Sequence, residues 1–316
     1  MATIGEITRE LVATGRGILV ADDYPPAFRD LVVAAPGLEA AVAGVVVPVE
    51  AVGRAADGLR ACGVLTGVAA DTRLAPLAGC PGESVAEGLD SLDGRLRRAA
   101  AAGAAFARWR SRVTIDDGRP TIAAIRANAL ALSRFAAAVQ EMGLVPIVEV
   151  RVDAAGLQPM STVECVVGLV LIEVLSELVQ FGIDPGGLVL AAAPVLAGPR
   201  CPAPVTPFDV AAATVSTLSD VVPAELGGLA IVDRGQPAEV ALANLAAIRR
   251  RPTPWPLTFC FGPALLGPAL ATWSGVPDAQ RAGRGRQALA QQLETAVAAL
   301  AGIDDLERLN GPASGG

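Results

Sequence analysis

Short, nearly uninterrupted apolar runs punctuate the chain, and between them apolar positions recur at helical spacing. The runs fall at 17–22, 44–48, 64–69, 145–150, 188–193, 228–233 and 256–261. Runs this short that lack polar alternation are what strands covered on both faces look like. One further stretch, 106–115, has a different pattern. Read as a strand, it places Phe106, Arg108, Arg110 and Arg112 on one face and Trp109 and Ser111 on the other. Taken alone, this is an edge strand with a solvated charged face. Three cations facing a core instead require anionic company.

Helical periodicity fills the intervals at 50–61, 85–102, 121–142, 162–181, 207–221 and 236–250, and most of the chain from the last run to 301. Gly143 sits where a helix C-terminal cap belongs. Residues 71–83, rich in Pro and Gly, read as a loop. Eight strands alternating with helices predict an α/β fold, a parallel (β/α)8 TIM barrel. The expected organisation is a single domain over 1–316, with a C-terminal helix at about 277–301 and a frayed tail at 310–316. A doubly wound open sheet is the alternative, but no Gly-rich phosphate loop follows the first strand. Barrel chemistry sits at the C-terminal strand ends. There the chain offers Asp22, Asp71, Glu149 and Asp233, with Arg108 and Arg110 of the charged strand.

Composition narrows the classes. The 316 residues are 52% hydrophobic with a net charge of −7, which excludes disorder and argues against a nucleic-acid partner. Aromatics are only 3%, so Ala, Val and Leu must build the core. The N-terminus lacks the basic region and apolar run of a signal peptide. The most apolar stretch, Val166 to Leu178, is broken by Glu173 and Glu177 and too short to cross a bilayer, so no membrane partner is expected. Cys62, Cys80, Cys165, Cys201 and Cys260 are scattered, odd in number and form no CxxC pair, which points to a reduced, cytoplasmic protein. The chain contains no His and no Lys; all 25 basic residues are Arg. It therefore has no imidazole acid or base, no His metal ligand and no side-chain amine. Neither a metal nor a cofactor is expected.

Several strings resemble the class I (Schiff-base) fructose-bisphosphate aldolases. Gly15-Arg16-Gly17-Ile18-Leu19-Val20-Ala21-Asp22-Asp23 is similar to the family's GKGILAADE. Pro76-Leu77-Ala78-Gly79 with Gly88-Leu89-Asp90 resembles PLAG…GLDGL, and Gly103 to Arg110 resembles GADFAKWR. Val145-Pro146-Ile147-Val148-Glu149 resembles VPIVEPE, and Pro254-Trp255-Pro256-Leu257-Thr258-Phe259 resembles PWALTF. The resemblance runs in order over almost the whole chain and implies the same eight-stranded barrel. It implies an acid/base role for Asp22 and site roles for Arg110 and Glu149. Arg108 stands where the resemblance implies a catalytic lysine, Ala69 where it implies a lysine on strand three, and Leu196 where it implies the Schiff-base lysine. Arg151 replaces a second Glu. Asp233-Arg234 stand in place of a phosphate-binding Ser-Gly, and Cys260 and Pro263 in place of a Ser and an Arg. Homo-oligomers are common in the family, so one is implied here.

An iminium requires an amine, and a guanidinium is neither base nor nucleophile in water. The residues therefore lead to the expectation of a repurposed lyase- or isomerase-type enzyme, doing lysine-independent acid/base chemistry on a small carbonyl or anionic metabolite. Asp22 and Glu149 are its expected general base and acid, and Arg108 and Arg110 stabilise an enolate or oxyanion. Substrate-binding candidates are Asp71, Arg151, Asp233, Arg234, Gly235, Gly262, Tyr24 and Cys260. Tyr24 reads equally as a proton donor or as packing, and Cys260 as a buried small hydrophobe. Asp71 reads as a partner for Arg108 or Arg110. The alternative is an inactive aldolase-like barrel serving as a binding or scaffold protein.

Overall fold

The computed structural model describes residues 2–275 and 278–303. The expected frayed tail at 310–316 lies outside them. After α1 (Ile4–Val12) come β1 (Gly17–Val20), α2 (Pro26–Val33), α3 (Leu38–Ala41), β2 (Val42–Pro48), α4 (Val52–Ala61) and β3 (Leu65–Ala69). A hairpin of β4 (Arg73–Pro76) and β5 (Ser84–Glu87) leads to α5 (Leu92–Ala101), β6 (Phe106–Ile115), α6 (Ile122–Glu141) and β7 (Val145–Ala154). Then follow α7 (Met160–Gln180), β8 (Val189–Ala192), α8 (Pro207–Val221), β9 (Gly228–Val232), α9 (Ala238–Arg249), β10 (Leu257–Phe261), α10 (Pro263–Ser274) and α11 (Asp278–Leu300).

The strands close into a barrel in the order β1-β10-β9-β8-β7-β6-β3-β2, every pair parallel. This is the (β/α)8 barrel that the run pattern predicts. Its side chains segregate by strand period. Leu19, Val45, Trp109, Val148 and Leu190 pack outward against the helices. Ile18, Val46, Phe106, Ile147, Ala191 and Cys260 fill the interior. Leu11 and Val12 of α1 join the interior set and plug the N-terminal end. The Phe106 ring lies across Gly44 and Gly67, where an added Cβ would come within 2.7 and 2.1 Å of it. The strand glycines thus make room for one large ring in an otherwise small-residue interior. Trp109, wholly buried, stacks at 5.5 Å on Phe135 of α6, which fixes the outer face of β6.

Two expectations need correction. The loop over 71–83 and a helix from 85 give way to the β4–β5 hairpin, with Arg73 paired to Glu87 at 2.6 Å. Gly79 and Gly82 turn the chain at φ 82° and 77°, and Gly88 at φ 125° delays the helix to Leu92. These are backbone states that other residues rarely enter. Strand β7 also runs past Val150 to Ala154, in register with β6 over ten pairs from Phe106↔Val145 to Ile115↔Ala154. The neighbouring strands end earlier, so this ladder rises above the rest of the rim.

Among the described residues one helix, Ile122–Glu141, is long and apolar enough to cross a membrane. It is a core helix, burying Ile125, Leu132, Phe135 and Val139 completely or nearly so.

Candidate active site at the barrel mouth

Residues at the C-terminal strand ends converge on a cavity of about 300 Å³. Alternation along β6 sends Arg108, Arg110 and Arg112 toward the barrel axis and the rim, as the sequence pattern requires. Arg108 is the most deeply placed. Its Nε donates to Glu149 Oε2 at 2.5 Å, and its Nη1 lies 3.5 Å from Asp22 Oδ2. All three side chains are no more than 5% exposed. Burial alone would discourage the charge on Arg108, but Glu149 and Asp22 outweigh it and hold the guanidinium firmly protonated.

Asp22 follows β1. Burial pushes its carboxyl above the ordinary range, against the pull of Arg108 and Arg110. Its Oδ1 and the Nη1 of Arg108 are both buried and make no hydrogen bond. Such orphaned groups are costly unless a ligand or a reaction uses them.

Arg110 is drawn to the opposite side. Its Nε donates to Asp71 Oδ2 at 3.0 Å, its Nη1 to Asp23 Oδ2 at 2.9 Å, and its Nη2 lies 3.6 Å from Asp22. Asp71 also accepts the Arg110 backbone N–H at 3.3 Å. Asp71 therefore serves to orient Arg110 and does not line the cavity. This is the arginine-partner role that its place in the sequence suggested.

A second cluster forms at the raised ladder. Asp153 receives Arg112 at 2.7 Å, Arg234 at 2.9 Å and Arg151 at 3.6 Å. Arg234 sits just beyond β9 with φ 53°, the one non-glycine residue in the left-handed region among those described. That conformation costs roughly 1–3 kcal/mol and persists only where its surroundings enforce it. Asp153 escaped the sequence reading. The signal was available, because Glu149, Arg151 and Asp153 alternate on one face once β7 is extended past Val150.

Asp233 directly follows β9 and turns inward. Its Oδ2 accepts the N–H groups of Gly262 at 3.0 Å and Ala264 at 2.8 Å, the first turn of α10, and its Oδ1 accepts that of Gly235 at 3.3 Å. Burial still raises its carboxyl against these three donors. The amides of Gly235 and Gly262, expected to meet substrate, are thus already engaged. Tyr24 lines the cavity with its ring 5.6 Å from Phe28, its hydroxyl pushed up to about 12 by burial and by Asp233. Cys260 faces the interior with its thiol raised by burial, a small buried hydrophobe.

Leu196 lies elsewhere. It lines a separate, largely apolar cavity of about 500 Å³ bordered by Val210 of α8 and by Val240 and Asn244 of α9. Ala69 ends β3 opposite Arg108, with which it pairs in the ladder.

Residues 24–305 match the family described as fructose-bisphosphate aldolase class-I. The chain is 33% identical over 298 residues to a probable fructose-bisphosphate aldolase class 1 of Xylella fastidiosa, covering 86% of this chain and 89% of that protein. It is 33% identical over 308 residues to fructose-bisphosphate aldolase B of Gallus gallus, covering 88% and 85%. Fructose-bisphosphate aldolase from Plasmodium falciparum, solved with TRAP and a small-molecule inhibitor, superposes with a TM-score of 0.91 at 31% identity, covering 95% of this chain and 94% of that one. These relatives overturn the expectation of a repurposed enzyme running a different reaction. They carry the aldolase name at 31–33% identity over most of the chain, which supports ordinary aldolase function.

Proposed function

Because this chain belongs to the class I fructose-bisphosphate aldolase family, we propose that its barrel mouth takes up a ketose phosphate and that the protein acts on it as a carbon–carbon lyase. The observation that carries the reading is the pair of buried polar atoms that make no hydrogen bond, Asp22 Oδ1 and Arg108 Nη1, at one cavity. Asp22 lines the cavity, and a carboxyl raised by burial suits proton exchange with a substrate hydroxyl. Arg108 and Arg110 supply fixed positive charge where negative charge develops on oxygen. Glu149 holds Arg108 in place and neutralises it in the resting site. A small-molecule substrate, self-association as in the family, and a cytoplasmic setting in keeping with five free cysteines complete the reading.

The chain has no lysine, so the test reads product directly and does not depend on trapping an amine adduct. The purified protein is given fructose 1,6-bisphosphate or fructose 1-phosphate, and triose phosphate release is followed in a coupled assay. Release that falls by about a hundredfold or more in Asp22→Asn supports the proposal. Binding of either sugar phosphate with no triose release above the Asp22→Asn background sinks it.

A further inference from the structure

The lining of the mouth is electrostatically uneven. Arg151 and Arg234, which line it, share a single carboxylate, Asp153, with Arg112, leaving a surplus of positive charge beside the cavity. Arg234 is only 9% exposed, and the Nε of Arg151 is buried with no hydrogen-bond partner. A guanidinium as buried as Arg234 is favoured by an anion beyond a shared carboxylate, and the fork geometry of Arg151 and Arg234 suits phosphate oxygens. The amides of Gly262 and Ala264 at the start of α10, with that of Gly235, could cradle an anion. Asp233 already fills that cradle from within the chain.

We infer that the ligand of this mouth carries one phosphate, seated against Arg151 and Arg234, and presents an uncharged end to the corner occupied by Asp233. The inference rests on the reading that the mouth takes a ketose phosphate, and it narrows that class to ligands needing a single phosphate. A second phosphate directed at Gly235 and Gly262 meets a carboxylate and finds its donors taken. Arg151 and Arg234 line the cavity together with Arg108, so a phosphate held there keeps the rest of a small ligand within reach of Asp22.

Calorimetric titration of the whole protein at low ionic strength tests this with inorganic phosphate, dihydroxyacetone phosphate and fructose 1,6-bisphosphate. The last two should bind within about threefold of each other, and each should weaken by about tenfold or more in Arg151→Gln and in Arg234→Asn. Asn is chosen at 234 because it tolerates the left-handed backbone. Asp233→Ser, which frees the amides, should favour the bisphosphate by about tenfold. Should that variant fail to fold, the two arginine variants still decide. A wild-type preference for the bisphosphate beyond about tenfold, arginine variants that bind unchanged, or no phosphate binding at all would overturn the inference. Triose release is read separately: its absence with the arginine dependence intact removes the lyase reading alone.

Discussion

Arg108 and Glu149 are diagonal neighbours, not directly opposed ones. Arg108 stands across the ladder from Ile147, and Glu149 across from Arg110, yet the close hydrogen bond joins Arg108 to Glu149. The diagonal leaves Arg110 available to Asp71 and Asp23, so two arginines on one strand face hydrogen-bond different carboxylates while both flank Asp22.

That pairing predicts a strongly coupled stability cycle. Arg108→Met strands Glu149 as a buried, uncompensated charge and leaves Asp22 only Arg110, and should cost about 3–5 kcal/mol. Glu149→Gln should cost less, because Asp22 still faces the guanidinium. Arg108→Met combined with Glu149→Gln should cost clearly less than the two added together. Urea denaturation midpoints read this, and additive losses would show that the pair is not a unit.

Asp22 makes stability depend on pH in a stated direction. Its carboxyl is raised in the fold by burial, so the folded protein holds that proton more tightly than the unfolded chain does. The associated stabilisation is present below the ordinary aspartate range and is lost as pH rises through the raised value. Asp22→Asn removes the dependence. The melting temperature of Asp22→Asn relative to wild type should therefore climb as pH rises above the ordinary aspartate range, and a flat or falling difference refutes the assignment. Turnover, which needs the carboxylate, should rise over the window in which wild-type stability falls.

The interior makes a steric prediction. A methyl at residue 67 would press into the Phe106 ring, so Gly67→Ala should destabilise by about 1–3 kcal/mol. Phe106→Leu should cost stability in the wild type yet recover part of the loss in Gly67→Ala. Thermal unfolding of the four proteins settles it; penalties that simply add would mean that the ring does not meet the new methyl.

Thiol reactivity should follow burial. Cys62 and Cys165 are exposed, while Cys80 and Cys260 are buried, and burial raises the Cys260 thiol despite the nearby Arg108. Iodoacetamide at neutral pH should label Cys62 and Cys165 first and Cys260 last in peptide mapping. Early labelling of Cys260 that a sugar phosphate blocks would instead mark it as a reactive site residue.

Much of the barrel was legible because parallel strands, covered on both faces, read as bare apolar runs, and seven of the eight barrel strands came through in that form, the arginine strand being the eighth. The inward turn of Arg108 and Arg110 was legible for the same periodic reason. What stayed hidden depended on turn geometry or on contacts distant in sequence. The β4–β5 hairpin rests on glycines in left-handed states inside a stretch whose composition says only loop. The capture of Gly262 and Ala264 by Asp233 joins residues 29 and 31 positions apart, through a loop whose path no local pattern gives. Asp153 was missed through a boundary error, because the apolar run ends before the strand does.

The overrunning β6–β7 ladder has an evolutionary corollary. Arg108, Arg110, Arg112, Glu149, Arg151 and Asp153 occupy alternate positions of one hydrogen-bonded frame, so the spacing between their charges is set by main-chain pitch and not by loop conformation. Point substitutions along two strands can rewrite the charge map of this mouth while chain length, loops and core stay untouched. Chemical novelty in such a barrel can therefore accumulate with no insertion or deletion to mark it, and sequence identity to relatives then tracks the frame better than the chemistry it holds.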